Sequence, residues 1–146
     1  MSALKGVPMS LSPELLYILA NMGHGDNLVI ADGNFPAENQ GAEHVVRMDG
    51  MGVPDLLRDM LTLFPIDDGE IQAAVMTPGP DQPEPPIFTD YRRVLKEGEG
   101  REVPLTLLGR FEFYDYTKEN AYAIIATGET AIYANLILVK GVIAPE

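Results

Sequence analysis

Cysteine is absent from this 146-residue chain, which excludes a disulfide framework, a thiolate nucleophile and cysteine-ligated zinc together. Histidine is nearly absent: His24 and His44 are the only two. They do not stand at a helical ligand spacing, so no metal site is expected. Positive charge is scarce, with 10 Lys and Arg against 22 Asp and Glu and a formal net charge of -12. A chain without a basic cluster lacks the footprint that phosphate backbones and anionic membranes attract, and neither nucleic acid nor a membrane is an expected partner. No apolar run reaches bilayer-spanning length, and no signal-peptide core follows Met1-Ser2-Ala3-Leu4-Lys5. The cytoplasm is the expected location. Common catalytic loops are missing too. There is no Gly-x-Ser-x-Gly elbow and no phosphate loop. Gly23-His24-Gly25-Asp26 fails as a dinucleotide fingerprint, because Leu28 holds the place of the third glycine and a helix precedes it where a strand is needed. No cofactor is expected.

What is present suits a globular fold. Apolar residues make up 46% and charged residues 22%, and the length fits one core, so a single domain over residues 1–146 is expected. Ser12 as N-cap and Pro13 at the first helical position open an apolar stripe of Leu15, Leu16, Ile18, Leu19 and Met22, which Gly23 stops. The runs Asn27–Asp32, Val45–Met48 and Ile71–Met76 read as buried strands. Between the last two, Val53, Leu56, Leu57, Met60, Leu61 and Phe64 repeat at helical spacing. Five prolines between Thr77 and Pro86 mark a stiff surface loop, since the pieces on either side are each too small to be domains. A short charged helix is expected over Asp90–Glu97 with Gly98 as its stop, then an extended stretch over Val103–Leu107, a helix or helical turn from Arg110 to Asn120, and strands Tyr122–Ala126 and Leu136–Val139. Thr127-Gly128-Glu129-Thr130 signals a tight turn between those strands. The alternation predicts an α/β fold: a layered α/β sandwich with a mixed, largely parallel sheet.

Several positions carry candidate chemistry. His24 lies just past a helix C-terminus, where a charged histidine can cap the helix. The same position suits a proton donor: the helix end and nearby Asp26 or Asp32 favour the protonated imidazole, and flanking glycines leave the ring approachable. Asp32 before Gly33 is a common turn arrangement, yet the carboxyl end of a strand in an α/β sheet is also where ligands bind. The aromatics Phe111, Phe113, Tyr114 and Tyr116 suit a core, whereas Arg110 beside them offers five donors to a hydroxylated ring, an anion or a structural carboxylate. Tyr133 and Asn135 flank Ala134 at the start of the last strand, where alternation turns both to one face.

Taken in order, Met22-Gly23-His24-Gly25-Asp26, Asp32 with Phe35-Pro36, Arg47 with Asp49-Gly50, Arg110-Phe111 with Phe113-Tyr114, Ala126-Thr127-Gly128-Glu129, and Tyr133-Ala134-Asn135 with Lys140-Gly141 resemble the ribose pyranase and fucose mutarotase family. The series covers nearly the whole chain. The resemblance implies a cofactor-free isomerase of a monosaccharide, with His24 as proton donor and Asp32, Arg110, Tyr133, Ala134 and Asn135 contacting the sugar. It also implies a ring-like homo-oligomer with sites shared between neighbouring subunits. Arg110 stands where the ribose branch carries histidine, and the Arg-Phe-x-Phe-Tyr run is similar to the fucose branch, whereas Asn34 replaces a histidine found in some fucose-branch members. L-Fucose is thus the expected sugar. Ring exchange of D-ribose and a non-catalytic sugar-binding role linked to transport are the alternatives. The expected chemistry is acid/base ring opening, in which His24 protonates the ring oxygen and Tyr133 or a water receives the anomeric proton.

Overall fold

The computed structural model describes residues 2–145. In chain order the elements are α1 (Pro13–Asn21), β1 (Asn27–Ala31), a single 3-10 turn (Ala37–Asn39), β2 (His44–Met48), α2 (Val53–Met60), β3 (Ala73–Met76), α3 (Ile87–Glu99), β4 (Leu105–Leu108), α4 (Arg110–Asn120), β5 (Ala121–Thr127) and β6 (Leu136–Val139). All six strands join one sheet in the order β2-β5-β1-β6-β3-β4. Only β6 runs against the others: it is antiparallel to both β1 and β3, whereas β2, β5 and β1 are mutually parallel and β4 is parallel to β3. The mixed, largely parallel α/β sheet is the one expected.

Strand periodicity divides the core. Leu28, Ile30, Ile125 and Leu136 pack with α1, α2 and α3 on one face, while Val29, Ala31, Ile124 and Ile137 pack with Phe113 of α4 on the other. β1 is buried along its whole length, which explains why its sequence reads as a continuous apolar run and not an alternating one. Among the described residues no helix is long and apolar enough to cross a membrane.

Local chemistry fixes most boundaries. The Ser12 hydroxyl accepts from the Leu15 amide at 3.2 Å, so α1 begins where its cap and Pro13 place it. α4 has the bounds expected, and Glu112 Oε1 closes its first turn by accepting from the Gly109 amide at 3.1 Å. Three expectations require correction. The apolar series beginning at Val53 is buried through Phe64, but regular helix ends at Met60; Leu61 still donates to the Leu57 carbonyl, and Phe64 continues the buried face through a turn onto the Met60 carbonyl. Gly98 does not stop α3. The helix runs three residues earlier than expected because Ile87 and Phe88 are buried, and it ends at Gly100, whose φ of 74° suits a left-handed cap. Gly98 instead allows close packing: a Cβ there would lie 2.6 Å from Leu61 Cδ1. Finally, the turn after β5 does not join neighbouring strands, since β1 lies between β5 and β6.

That crossing matters for the site. The carboxyl ends of β1, β2, β3, β4 and β5 and the amino end of β6 all lie along one edge of the sheet, and residues 128–135 pass across the end of β1 to reach β6. Gly128 makes the passage possible, because a Cβ there would stand 1.9 Å from the Asp49 carbonyl oxygen.

Candidate active site

The edge just described gathers most of the expected sugar-contacting residues. Asp32, Arg110, Tyr133 and Asn135 line one open cavity of about 210 Å³, together with Asn34 and Tyr114. Each arrives from a different element: Asp32 follows β1, Arg110 begins α4 just after β4, and Tyr133 and Asn135 precede β6. A parallel sheet with one reversed strand brings these chain positions together, as the carboxyl edge of α/β sheets commonly does for ligands.

Asp32 is the anchor. Its Oδ1 accepts from the Asn34 amide at 3.0 Å and its Oδ2 from the Ala134 amide at 3.2 Å, while its own amide donates to Asn135 Oδ1 at 2.8 Å. It is therefore both the turn residue and the cavity wall. Each carboxylate oxygen has lone-pair capacity left for a ligand hydroxyl. Burial pushes the Asp32 carboxyl above its ordinary range, the amides of Asn34, Ala134 and Phe35 oppose that, and the negative charge of Glu129 adds to it. Ala134 itself is buried, and its contribution is the backbone N–H that holds Asp32.

Asn135 spends its carbonyl on Asp32, and its amide nitrogen has only a 4.0 Å contact with Met76 Sδ, so a strong donor remains available at the cavity. Tyr133 reaches the cavity by a different route from the one expected. The strand begins at Leu136, and Tyr133 sits in a turn with φ of 56°, so strand alternation does not orient it. Positive φ is uncommon for a bulky residue, and the surrounding hydrogen bonds must hold it. Arg110 is exposed, with its guanidinium carbon 5.5 Å from the Phe111 ring centroid and 5.7 Å from that of Tyr114. The aromatic run is divided accordingly: Phe113 is fully buried, whereas Phe111 is 72% exposed and serves as a platform for the cation.

His24 is elsewhere. It precedes β1 while Asp32 follows it, so the strand separates them by roughly 15 Å at about 3.3 Å per residue. Its side chain is 62% exposed, and Nε2 lies 3.1 Å from Asp67 Oδ1. The expected carboxylate partners are thus corrected. Asp26 accepts from the Gly23 amide at 2.7 Å and closes the local turn, and Asp32 is at the far edge. Capping of α1 also falls to another residue: the Lys140 ammonium donates to the Leu19 and Met22 carbonyls. His24 therefore stands exposed, with Asp67 as its polar side-chain contact, at the tip of a loop pinned to the end of β6 by the Gly25–Lys140 and Lys140–Asp26 backbone bonds, both 2.9 Å. A second cavity of about 240 Å³ adjoins it, lined by His24, Asp67, Asp68 and Arg101.

Sequence reasoning did not single out Asp67, Met76 or Ile132 for the site, and it placed Lys140 only in the series of residues that carries the resemblance. Asp67 and Met76 meet their partners His24 and Asn135 only through long-range contacts, whereas Ile132 enters beside Tyr133 in the same turn. A larger apolar cavity of about 400 Å³ lies against the proline-rich segment and shares Ile132 and Tyr133 with the polar one. Its lining offers few donors or acceptors for hydroxyls, whereas the polar cavity holds the expected sugar-contacting residues Asp32, Arg110, Tyr133 and Asn135. Among the described residues no three His, Asp or Glu side chains converge as a metal site would require.

Comparison with known proteins gives a consistent picture. Residues 5–143 match the model of the RbsD / FucU transport protein family. Human fucose mutarotase is 50% identical over 151 residues, covering 99% of this chain and 97% of the relative. Among solved structures, the fucose mutarotase from Streptococcus pneumoniae in complex with L-fucose superposes with a TM-score of 0.89 at 40% identity, covering 97% of this chain and all of that one. Bacillus subtilis RbsD complexed with D-ribose superposes with a TM-score of 0.68 at 25% identity, covering 92% and 95%.

Proposed function

The chain belongs to the RbsD / FucU transport protein family, and from that premise we propose that it is a cofactor-free mutarotase interconverting the α and β anomers of L-fucose in the cytoplasm. The observation that carries this reading is the convergence of Asp32, Arg110, Tyr133 and Asn135 on one cavity. A carboxylate, a guanidinium, a phenol and a carboxamide supply the mixture of acceptors and donors that a polyhydroxylated ring requires. Fucose is favoured over ribose because the relatives named as fucose mutarotases are more similar to this chain than the D-ribose-bound structure.

The reaction needs little. A general acid gives a proton to the ring oxygen, the anomeric hydroxyl loses one, and the bond between C1 and the ring oxygen breaks to leave an open aldehyde. Rotation about C1–C2 and the reverse proton movements reclose the ring as the other anomer. His24 is the acid, and Tyr133 or a water takes the anomeric proton. Positioned groups of this kind contribute typically about 10²–10⁴-fold. Asp32, Arg110 and Asn135 hold the remaining hydroxyls.

One chain cannot bring His24 to its own cavity, since β1 lies between them. The site is therefore completed by a neighbouring copy in a ring-like homo-oligomer, with the exposed His24 of one subunit reaching the sugar held by the next. The glycines on either side suit that task, because a Cβ on Gly25 would meet nothing within 4 Å.

Magnetisation-exchange NMR tests the proposal. Added protein is expected to accelerate α/β exchange of L-fucose at equilibrium. Unchanged exchange with retained binding would instead support a sugar-binding role in transport, and acceleration confined to the ring forms of D-ribose would assign pyranase activity.

A further inference from the structure

The segment that carries Tyr133 and Asn135 is held from behind by one side chain that the mechanism does not use. Glu129 Oε1 accepts from the Val53 amide at 3.0 Å, at the first residue of α2, and Oε2 accepts from the Ala131 amide at 3.1 Å. Its backbone is engaged as well: the amide donates to Thr127 Oγ1 at 3.2 Å, and the carbonyl accepts from the Gly33 amide at 2.9 Å. Residue 129 thus ties four pieces of chain together: the end of β5, the start of α2, the turn after Asp32 and the turn leading to Tyr133.

The neighbours are shaped around it. A Cβ on Gly52 would come within 3.0 Å of Glu129 Oε1, and one on Gly33 within 3.2 Å of the Glu129 carbonyl oxygen. Gly52 gives α2 no side-chain cap, so the Glu129 carboxylate supplies from a distance what an N-cap residue would supply locally. Behind it lies Tyr91, fully buried in α3, whose hydroxyl has no hydrogen-bond partner. Burial, and then the charges of Glu129, Asp32 and Asp90, push that phenol far above its ordinary range, which places an uncommitted donor within Coulombic reach of both carboxylates.

We propose that Glu129 is a positioning residue for sugar turnover, holding Tyr133 in its left-handed turn and Asn135 against Asp32 by bridging the α2 N-terminus to the Ala131 amide. The inference rests on the mutarotase reading above. Because Glu129 touches no substrate, its effect passes through geometry and through its charge beside Asp32. Misplacement of reacting groups by about 1 Å can cost on the order of 100-fold in rate.

Two substitutions separate charge from reach. Glu129→Asp keeps the charge near α2 but is too short to span to Ala131, and Glu129→Gln keeps the length but removes the charge and one acceptor. Both are expected to remain folded and to lower α/β exchange at saturating L-fucose by about 10-fold or more. Glu129→Gln alone is also expected to move the acid limb of sugar binding to lower pH, since the Glu129 charge helps to raise Asp32. The other groups facing Asp32, namely Arg110, Arg47, Glu38 and the Tyr91 phenol, are unchanged by the substitution. A residue that only capped α2 would lower the unfolding temperature and leave exchange at saturating L-fucose unchanged in the folded variants, whereas the limb reports only the charge beside Asp32. Exchange within about twofold of the parent in either folded variant, or loss of folding in both, overturns the proposal. A parent protein that accelerates no exchange overturns the mutarotase reading itself, so the two failures are distinguishable.

Discussion

The two edges of the sheet are built in opposite ways. At the carboxyl edge, Asp32 is 5% exposed, holds two amides through its carboxylate and fixes Asn135 through its own amide. At the other edge, His24 is a loop-tip side chain with a single polar contact, to Asp67. Sugar recognition demands several groups fixed relative to one another, which favours burial and redundant hydrogen bonding. The role proposed for His24, giving a proton to a sugar held by a neighbouring copy, demands exposure and little else. The contrast is the one that the proposed sharing of a site between subunits requires.

The sharpest way to break this comparison is to remove the exposed half. His24→Ala is expected to lower α/β exchange by about 10²–10⁴-fold while leaving L-fucose affinity unchanged. Mixing it with Arg110→Ala, itself an exposed residue, should restore exchange that neither variant has alone, provided subunits are allowed to reassort. No recovery on mixing would show that His24 serves no neighbouring cavity, and the division of labour between edges would fall.

A second substitution acts on the buried half. Gly128→Ala places a Cβ against the Asp49 carbonyl, and overpacking of this kind typically costs about 1–3 kcal/mol. Denaturant unfolding should report that loss, and L-fucose affinity should fall with it, because the displaced segment leads to Tyr133. Full stability would mean that the crossing over β1 is looser than its contacts indicate.

The smallest effect is in pH. Asp32 has its folded-state carboxyl above the ordinary 3.8 because of burial, so it contributes stability that is present below 3.8 and lost as pH rises through the raised value. Its ionised form is the better acceptor, and it is the form that the proposed contact with sugar hydroxyls uses. As pH falls from neutrality, L-fucose affinity is therefore expected to decline at a pH above 3.8, while protonation of Asp32 itself favours the fold. An NMR binding titration against pH checks this, and an acid limb at or below 3.8 would show Asp32 to be less desolvated than its surroundings require.

Much of this molecule was legible before folding. α1 and α4 were readable because their caps are local: Ser12 with Pro13, and Glu112 three residues after Gly109. β1 and β6 were readable because strands buried on both faces leave unbroken apolar runs. That Asp32, Arg110, Tyr133 and Asn135 share one cavity agrees with the ordered resemblance, but strand alternation is not the reason for Tyr133 and Asn135, since both precede β6 and Tyr133 lies in a turn. The role of Gly98 was misread because a glycine near a helix end has the same appearance whether it stops the helix or admits a neighbour.

By itself, then, the sequence determined where regular structure begins, which faces are apolar and which side chains can exchange protons, since all of these depend on residues a few positions apart. The tertiary structure alone decided that His24 pairs with Asp67 while Lys140 caps α1, that residues 128–135 cross the end of β1, and that Glu129 fastens that crossing to α2. Those facts depend on strand order and on the reversal of β6, which bring together groups from 43 to 121 positions apart. No local pattern records an encounter at that distance. It follows from the strand order in which this sheet buries both its faces.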